Sequence, residues 1–266
     1  MALIFPRNYV SACLIFRMCL LCCAFISTVS PSFAVDDVAD DYDVKSLLGY
    51  YVAEFEPETA LLVIQSAPDN TGQFTDVYMS LEGVMIETLR LNRLNFRMKG
   101  VQFNKPSEWA KGNVECKSAI QILAMANLLE KDINRAIETK TFGDDGSSEW
   151  HDVSMKITPE GLSGKGYYRA GFLDILLEID SGLKIVKGKE LWLKDPKVKV
   201  NTLDVPDYIT RKALNDIQPL VDLNKFPLPL TLHKVELKNG SATLSTRTLP
   251  QEPSDGIRYT YSKQGR

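Results

Sequence analysis

The sequence is poor in the residues that carry most protein chemistry. Its 266 residues include five cysteines and two histidines. Four of the cysteines, Cys13, Cys19, Cys22 and Cys23, fall in the first 34 residues. Without that segment Cys116 is the single thiol, which excludes an internal disulfide. A Cys116, His151 and Asp152 set can be assembled on paper. No residue, however, stands in a nucleophile elbow or a comparable local motif. The carboxylates Asp36, Asp37, Asp40, Asp41 and Asp43 lack the glycine turn and closing glutamate of a calcium loop, and read as a solvated leader. The glycines from Gly161 to Gly166 lack the spacing of a phosphate loop and ease a bend between strands instead. The expectation is no catalytic set, no metal and no cofactor.

Concentrated positive charge is missing as well. The formal net charge is −3. Residues 1–34 carry Arg7 and Arg17 and no acid, so the chain beyond them has a formal charge of −5. Mild acidity spread along the chain argues against nucleic acid, which needs a basic face. Long apolar runs are equally scarce. The longest, Met18 to Val29, is shorter than the ~20 residues that span a bilayer.

What surrounds that run gives it a meaning. Basic residues precede it, and Ser30-Pro31-Ser32-Phe33-Ala34 follows before acid begins at Asp36. A positive start, an apolar core and a small-residue exit are the parts of a cleavable secretory signal, with cleavage after Ala34. An uncleaved anchor fits the short core less well. A lipoprotein signal fits less well too, because neither Cys22 nor Cys23 follows a small residue. The chain is therefore expected to be exported, to the periplasm or another extracytoplasmic part of the envelope. The expected organisation is a signal over 1–34, one α+β domain over 35–249 and a loose polar tail over 250–266.

Periodicity within the domain is mostly that of strands. Val77, Met79 and Leu81 alternate with Asp76, Ser80 and Glu82, which marks a half-buried strand. Leu89 and Leu91 carry the apolar face on odd positions, whereas Leu94, Phe96 and Met98 carry it on even ones. That phase break predicts a bulge or sharp bend near Asn92. Further alternation runs through Val153 to Ile157, Ile175 to Asp180, Leu183 to Ile185, Leu191 to Leu193 and Val198 to Val200. Another phase break falls at His233-Lys234, followed by a hairpin on Asn239-Gly240. Three segments have helical spacing instead: Val44 to Phe55, Leu128 to about Lys140, and Pro206 to before Pro219. Asn127 and Glu130 are placed for a variant capping box, and Gly143 to Ser148 reads as a surface loop.

The expected architecture is α+β: a long, curved antiparallel sheet wrapped around or packed on amphipathic helices, and elongated. If sheet and helices do not close fully, the interior is an apolar trough. The helix stripes nominate Leu47 and Tyr51, then Leu129, Ile133 and Ile137, then Ile209, Ala213 and Ile217 as its lining, although each is equally suited to ordinary core. Lipid chains suit such a trough, because each CH₂ left in water costs ~0.8 kcal/mol.

The segments Asp76 to Val84, Leu89 to Leu94, Gly100 to Phe103 and Asp132 to Ile137 carry a family resemblance. So do Phe226 to Leu230 and Val235 to Leu244. Their order and spacing resemble the LmeA-like phospholipid-binding family over about Leu47 to Thr246. The resemblance implies an exported protein that binds phospholipid or another envelope lipid, touches membrane surfaces transiently and serves envelope upkeep. It also implies analogy with tubular lipid-binding (TULIP-like) folds and brings no catalytic set. Two other readings stay open: an envelope scaffold with a packed core, and an enzyme acting on an envelope lipid or glycan. Oligomeric state is not legible.

Overall fold

The computed structural model describes residues 33–35, 42–86, 88–138, 148–171, 173–201, 205–224 and 228–263. The expected signal up to residue 32, most of the acidic leader and the 143–147 loop lie outside the described residues. In chain order the elements are β1 (Phe33–Val35), α1 (Tyr42–Phe55), β2 (Thr59–Ile64), β3 (Gln73–Ile86) and β4 (Leu89–Phe103). Then come α2 (Pro106–Trp109), β5 (Cys116–Leu129), α3 (Glu130–Glu138), β6 (Ser148–Thr158) and β7 (Gly161–Ala170). The chain continues with β8 (Leu173–Val186), β9 (Glu190–Val200), α4 (Asp207–Asp216) and β10 (Val221–Asp222). It finishes with β11 (Lys234–Lys238), β12 (Ser241–Ser245) and β13 (Ile257–Ser262).

Two antiparallel sheets result. An eight-stranded sheet has the order β1-β13-β2-β3-β4-β5-β12-β11 and curls into a half-barrel, and a five-stranded sheet has the order β10-β9-β8-β7-β6. The protein is thus a β-rich α+β chain, as its alternation predicts.

The bend expected near Asn92 is present, but without a bulge. Glu82 pairs with Arg93 and Val84 with Leu91, so the β3–β4 register runs straight through. The strands turn over together, with Gly83 opposite Asn92 at φ +64°. Only glycine takes this conformation without cost, and a Cβ here would lie 2.4 Å from the Glu58 side chain. Leu81 and Val84 can therefore both face inward and both be fully buried. In the second sheet, bulges achieve the same result. One lies between His151 and Ser154, where Asp152 has φ 50°, and one between Asp180 and Gly182. The first lets Trp150 and Val153 share one face despite their odd spacing.

One end of the curled sheet is closed by packing. Trp109 stacks on Phe74 at 5.9 Å and meets Phe103 edge-on at 6.1 Å. Its indole N–H reaches the Asn104 backbone oxygen at 3.1 Å and side-chain oxygen at 3.0 Å. Beside this cluster, α1 buries Val44, Leu47, Leu48 and Tyr51, and the Tyr51 ring lies 5.6 Å from that of Phe96.

Three expectations need correction. Leu129 ends β5 and does not belong to the helix, because its backbone pairs with Ser241 of β12. The carboxylate of Glu130 accepts from Ile157 N–H at 2.7 Å, while the Asn127 amide turns to Thr243 and Asn92; the capping box does not form. Nor is the chain beyond Pro250 loose. It crosses the outer face, where Arg97 donates to the Gln251 carbonyl at 3.0 Å. It then enters the sheet as β13, in register with β2 from Ile257–Ile64 to Ser262–Thr59.

The two sheets meet at the free edge of β6. The Gly240 N–H donates to Ile157 O at 3.0 Å, and Glu130 N–H donates to Gly240 O at 2.9 Å. One turn along α3, the Asn134 amide donates to Met155 O at 2.8 Å and accepts from Met155 N–H at 2.7 Å. Asp132, buried in the same helix, pairs with Arg90 of β4 at 3.3 Å. Asn134→Leu leaves both Met155 backbone groups without these partners. It is expected to lower unfolding free energy by about 1–3 kcal/mol in a denaturant titration.

Candidate functional site

Inward-facing side chains of both sheets do not fill the space between them. Against the curled sheet lies a cleft of about 790 Å³, its open side included. Its floor is Leu91 and Leu94 of β4, Ala124, Ala126 and Leu128 of β5, and Leu244 of β12. The opposite wall is the extended chain after α4, through Val221, Leu223, Leu230 and Leu232. The β8–β9 turn pins that wall. Leu223 N–H donates to Lys189 O and Leu232 N–H to Gly188 O, each at 2.8 Å.

Two more cavities continue from it. A middle one, of about 440 Å³ on the same measure, shares Leu128, Val221 and Leu244 with the first and adds Ile133 and Ile157. A third, of about 530 Å³, shares Met155, Leu162 and Leu220 with the middle one and ends at Trp150, Val153 and Ile217. Shared lining residues set the three lobes side by side in one row, the trough, which passes across the joint from the curled sheet to the five-stranded one.

The lining is almost wholly apolar. The Thr246 hydroxyl, the one polar side chain of the first lobe, accepts from Ala124 N–H at 3.0 Å and donates to Thr248 O at 2.7 Å. Ser181 in the third lobe is held by the carbonyls of Gly182 and Lys194, at 2.8 and 3.0 Å. Lys165 also borders the third lobe, but it is exposed and sits between Gly164 and the buried Gly166. Strand alternation puts its ammonium on the outer face, where Glu178 is its register partner. An ion inside such walls would lose its hydration with nothing in return.

The residues nominated by helical spacing separate into three groups. Ile133 lines the middle lobe and Ile217 the third. Leu47, Tyr51, Ile137, Ile209 and Ala213 are buried in the core, and burial pushes the Tyr51 phenol up from its ordinary value. Leu129 is half-buried at the end of β5. Most of the lining comes instead from β4, β5, β12 and the chain around β10. The even positions from Ala124 to Leu128 were the available signal, muted by small alanines among them.

Among the described residues no catalytic arrangement stands near the trough. Cys116 lies in the curled sheet and His151 in the other, so the paper set is not assembled. On the outer face, His151 Nε2 is 2.8 Å from Asp174, Nδ1 is 3.0 Å from Asp152, and the ring stacks on Tyr167. Among the described residues no group of three His, Cys, Asp or Glu side chains is placed to hold a metal. No described helix is long and apolar enough to cross a membrane. The Asp174 hydrogen bond, then that of Asp152, raises the His151 pKa above its ordinary value of 6.5. The stability these pairs contribute is therefore complete below that value and lost as pH rises through the folded-state pKa. Imidazole titration by NMR should place His151 above the ordinary value, and Asp174→Asn should bring its midpoint down.

No curated protein and no solved structure matches the chain. The profile of one family, described as LmeA-like phospholipid-binding, matches residues 70–247. That span takes in the trough floor on β4, β5 and β12, the joint at β6 and the opposite wall. With well over half of its length matched, the chain belongs to the LmeA-like phospholipid-binding family.

Proposed function

We propose that the protein is exported and holds phospholipid acyl chains in this trough, carrying or buffering lipid for the cell envelope without chemistry of its own. The observation that carries the reading is the predominantly apolar lining of three adjoining lobes, in a member of a phospholipid-binding family. Each methylene moved from water into such a lining gains ~0.8 kcal/mol. The reading also treats the curled sheet over α1 as a tubular lipid-binding arrangement. A packed scaffold would leave no such space, and an enzyme would bring reactive groups to it.

Export rests on the first 34 residues, with their basic start, apolar core and Ser-Phe-Ala exit. Cleavage after Ala34 removes two of the three residues of β1, leaving β13 as the edge of the sheet. Expressed with its leader, the protein should be recovered outside the cytoplasm with Val35 as its first residue by amino-terminal sequencing. An intact leader on the recovered protein would contradict this.

Native mass spectrometry of gently purified protein is the direct test for lipid. The expected outcome is a bound phospholipid that solvent extraction releases. Ala126→Phe, on the floor of the first lobe, should weaken uptake of fluorescent phospholipid roughly tenfold, the equivalent of about two methylenes. Because it fills space, it should not lower the melting temperature. Absence of lipid and of uptake in the unaltered protein would refute the proposal.

A further inference from the structure

The lobes differ in what a ligand must pass to reach them. The first and middle lobes share the lining residues Leu128, Val221 and Leu244, and the middle and third lobes share Met155, Leu162 and Leu220. Of the polar side chains bordering the route, Thr246 and Ser181 are held by backbone groups, and strand alternation turns Lys165 and its register partner Ser154 to the outer face. An ionised head group gains nothing by entering and loses its water. Cations near the first lobe are also engaged: Arg90 by Glu58 and Asp132, and the Lys189 ammonium by the Leu230 carbonyl.

We infer that the trough selects its lipid by chain length and not by head group, with the chain running from lobe to lobe past these shared residues so that its methyl end rests in the lobe bounded by Trp150, Val153 and Ile217. This rests on the lipid-binding reading above and specifies what that site discriminates. Affinity then rises by about fourfold for each added methylene, the equivalent of ~0.8 kcal/mol, until the third lobe is full, and is level beyond that. Neutral diacylglycerol belongs to the ligand class as fully as phospholipid does, provided its chains match.

Gly164 gives a means of shortening the trough. It borders the third lobe, its φ is unremarkable, and an added Cβ would have Ser154 O at 3.7 Å as its nearest neighbour, an ordinary contact. Its register partners Met155 and Ile179 are inward-facing lining residues. Gly164→Phe and the smaller Gly164→Leu therefore extend side chains into the lobe from a position with room for them.

The experiment measures binding of the full mature chain to saturated diacyl phosphatidylglycerols from octanoyl to stearoyl. It then compares phosphatidylglycerol, phosphatidylethanolamine and diacylglycerol of one matched length. The expected result is a rise and plateau with length, and affinities that agree within about threefold across the head groups, less than the effect of one methylene. In the Gly164 variants the plateau should move to shorter chains while short-chain binding is retained, which also shows that they fold. An unmoved plateau in folded variants overturns the inference, as does a tenfold preference among head groups, and either leaves lipid binding itself standing. Failure of the unaltered protein to bind any lipid overturns both readings.

Discussion

The structure depends on a joint about three residues long. Ile157 and Met155 sit on the free edge of β6, where an isolated sheet would present unpaired N–H and C=O groups. The edge is instead answered by the other sheet: Gly240 from the β11–β12 turn, and Glu130 and Asn134 from α3. These contacts are directional, so they fix angle and distance in a way apolar contact alone would not. Because α3 follows directly from β5, and Gly240 lies between β11 and β12, the trough floor and the joint are the same pieces of chain. The lobes on either side are consequently held in line.

Given that joint, the continuity of the lining follows from the points where strands change face. A regular long strand presents alternate residues to one side, and its twist soon carries them away from a straight axis. Gly83 opposite Asn92, and the bulges at Asp152 and next to Ser181, reset which positions face inward. Leu91 and Leu94 can then both border the first lobe, and Trp150 and Val153 the third. Without these resets, polar residues such as Arg93 would turn into the trough. The fold uses local strain at few positions to keep a long wall apolar.

This also explains which parts were legible in the sequence. The Asn92 bend could be read because its flanking residues are large and unambiguous: Leu89, Leu91, Leu94, Phe96 and Met98. Helices α1 and α4 were legible for the same reason. Strand β5 was not, since Ala119, Ala124 and Ala126 dilute its alternation and Leu128-Leu129 run on into a genuine helix. The trough lining was the least legible feature. Periodicity reports that a side chain faces inward, whereas lining or core depends on what stands opposite. Leu47 and Ile133 have the same pattern. The former meets a filled layer beside Tyr51 and Phe96, and the latter meets space. The wall around β10 and from Leu228 to Leu232 has a distinct, proline-broken pattern whose partner across the trough is set by pairing of β10 with β9 and by pinning to Gly188 and Lys189.

The contrast between the two ends of the curled sheet bears on why the trough stays open. At one end, Phe74, Phe103 and Trp109 interlock, and the indole N–H is satisfied within the cluster. Such packing resembles an ordinary protein interior, where unfilled volume is destabilising. At the other end the floor is built of Ala124, Ala126 and leucines, and the described residues of the opposite wall that border it are Val221, Leu223, Leu230 and Leu232. Aromatic side chains pack densely at the closed end, and Trp150, packed on Tyr168, bounds the far end of the third lobe, whereas small and aliphatic side chains floor the first lobe. The unfilled volume therefore carries a folding cost that a bound hydrocarbon chain would remove, which links ligand occupancy to stability. Apolar walls, muted side-chain volume and a rigid joint are three separate conditions, and the chain-shaped ligand proposed above would meet all of them.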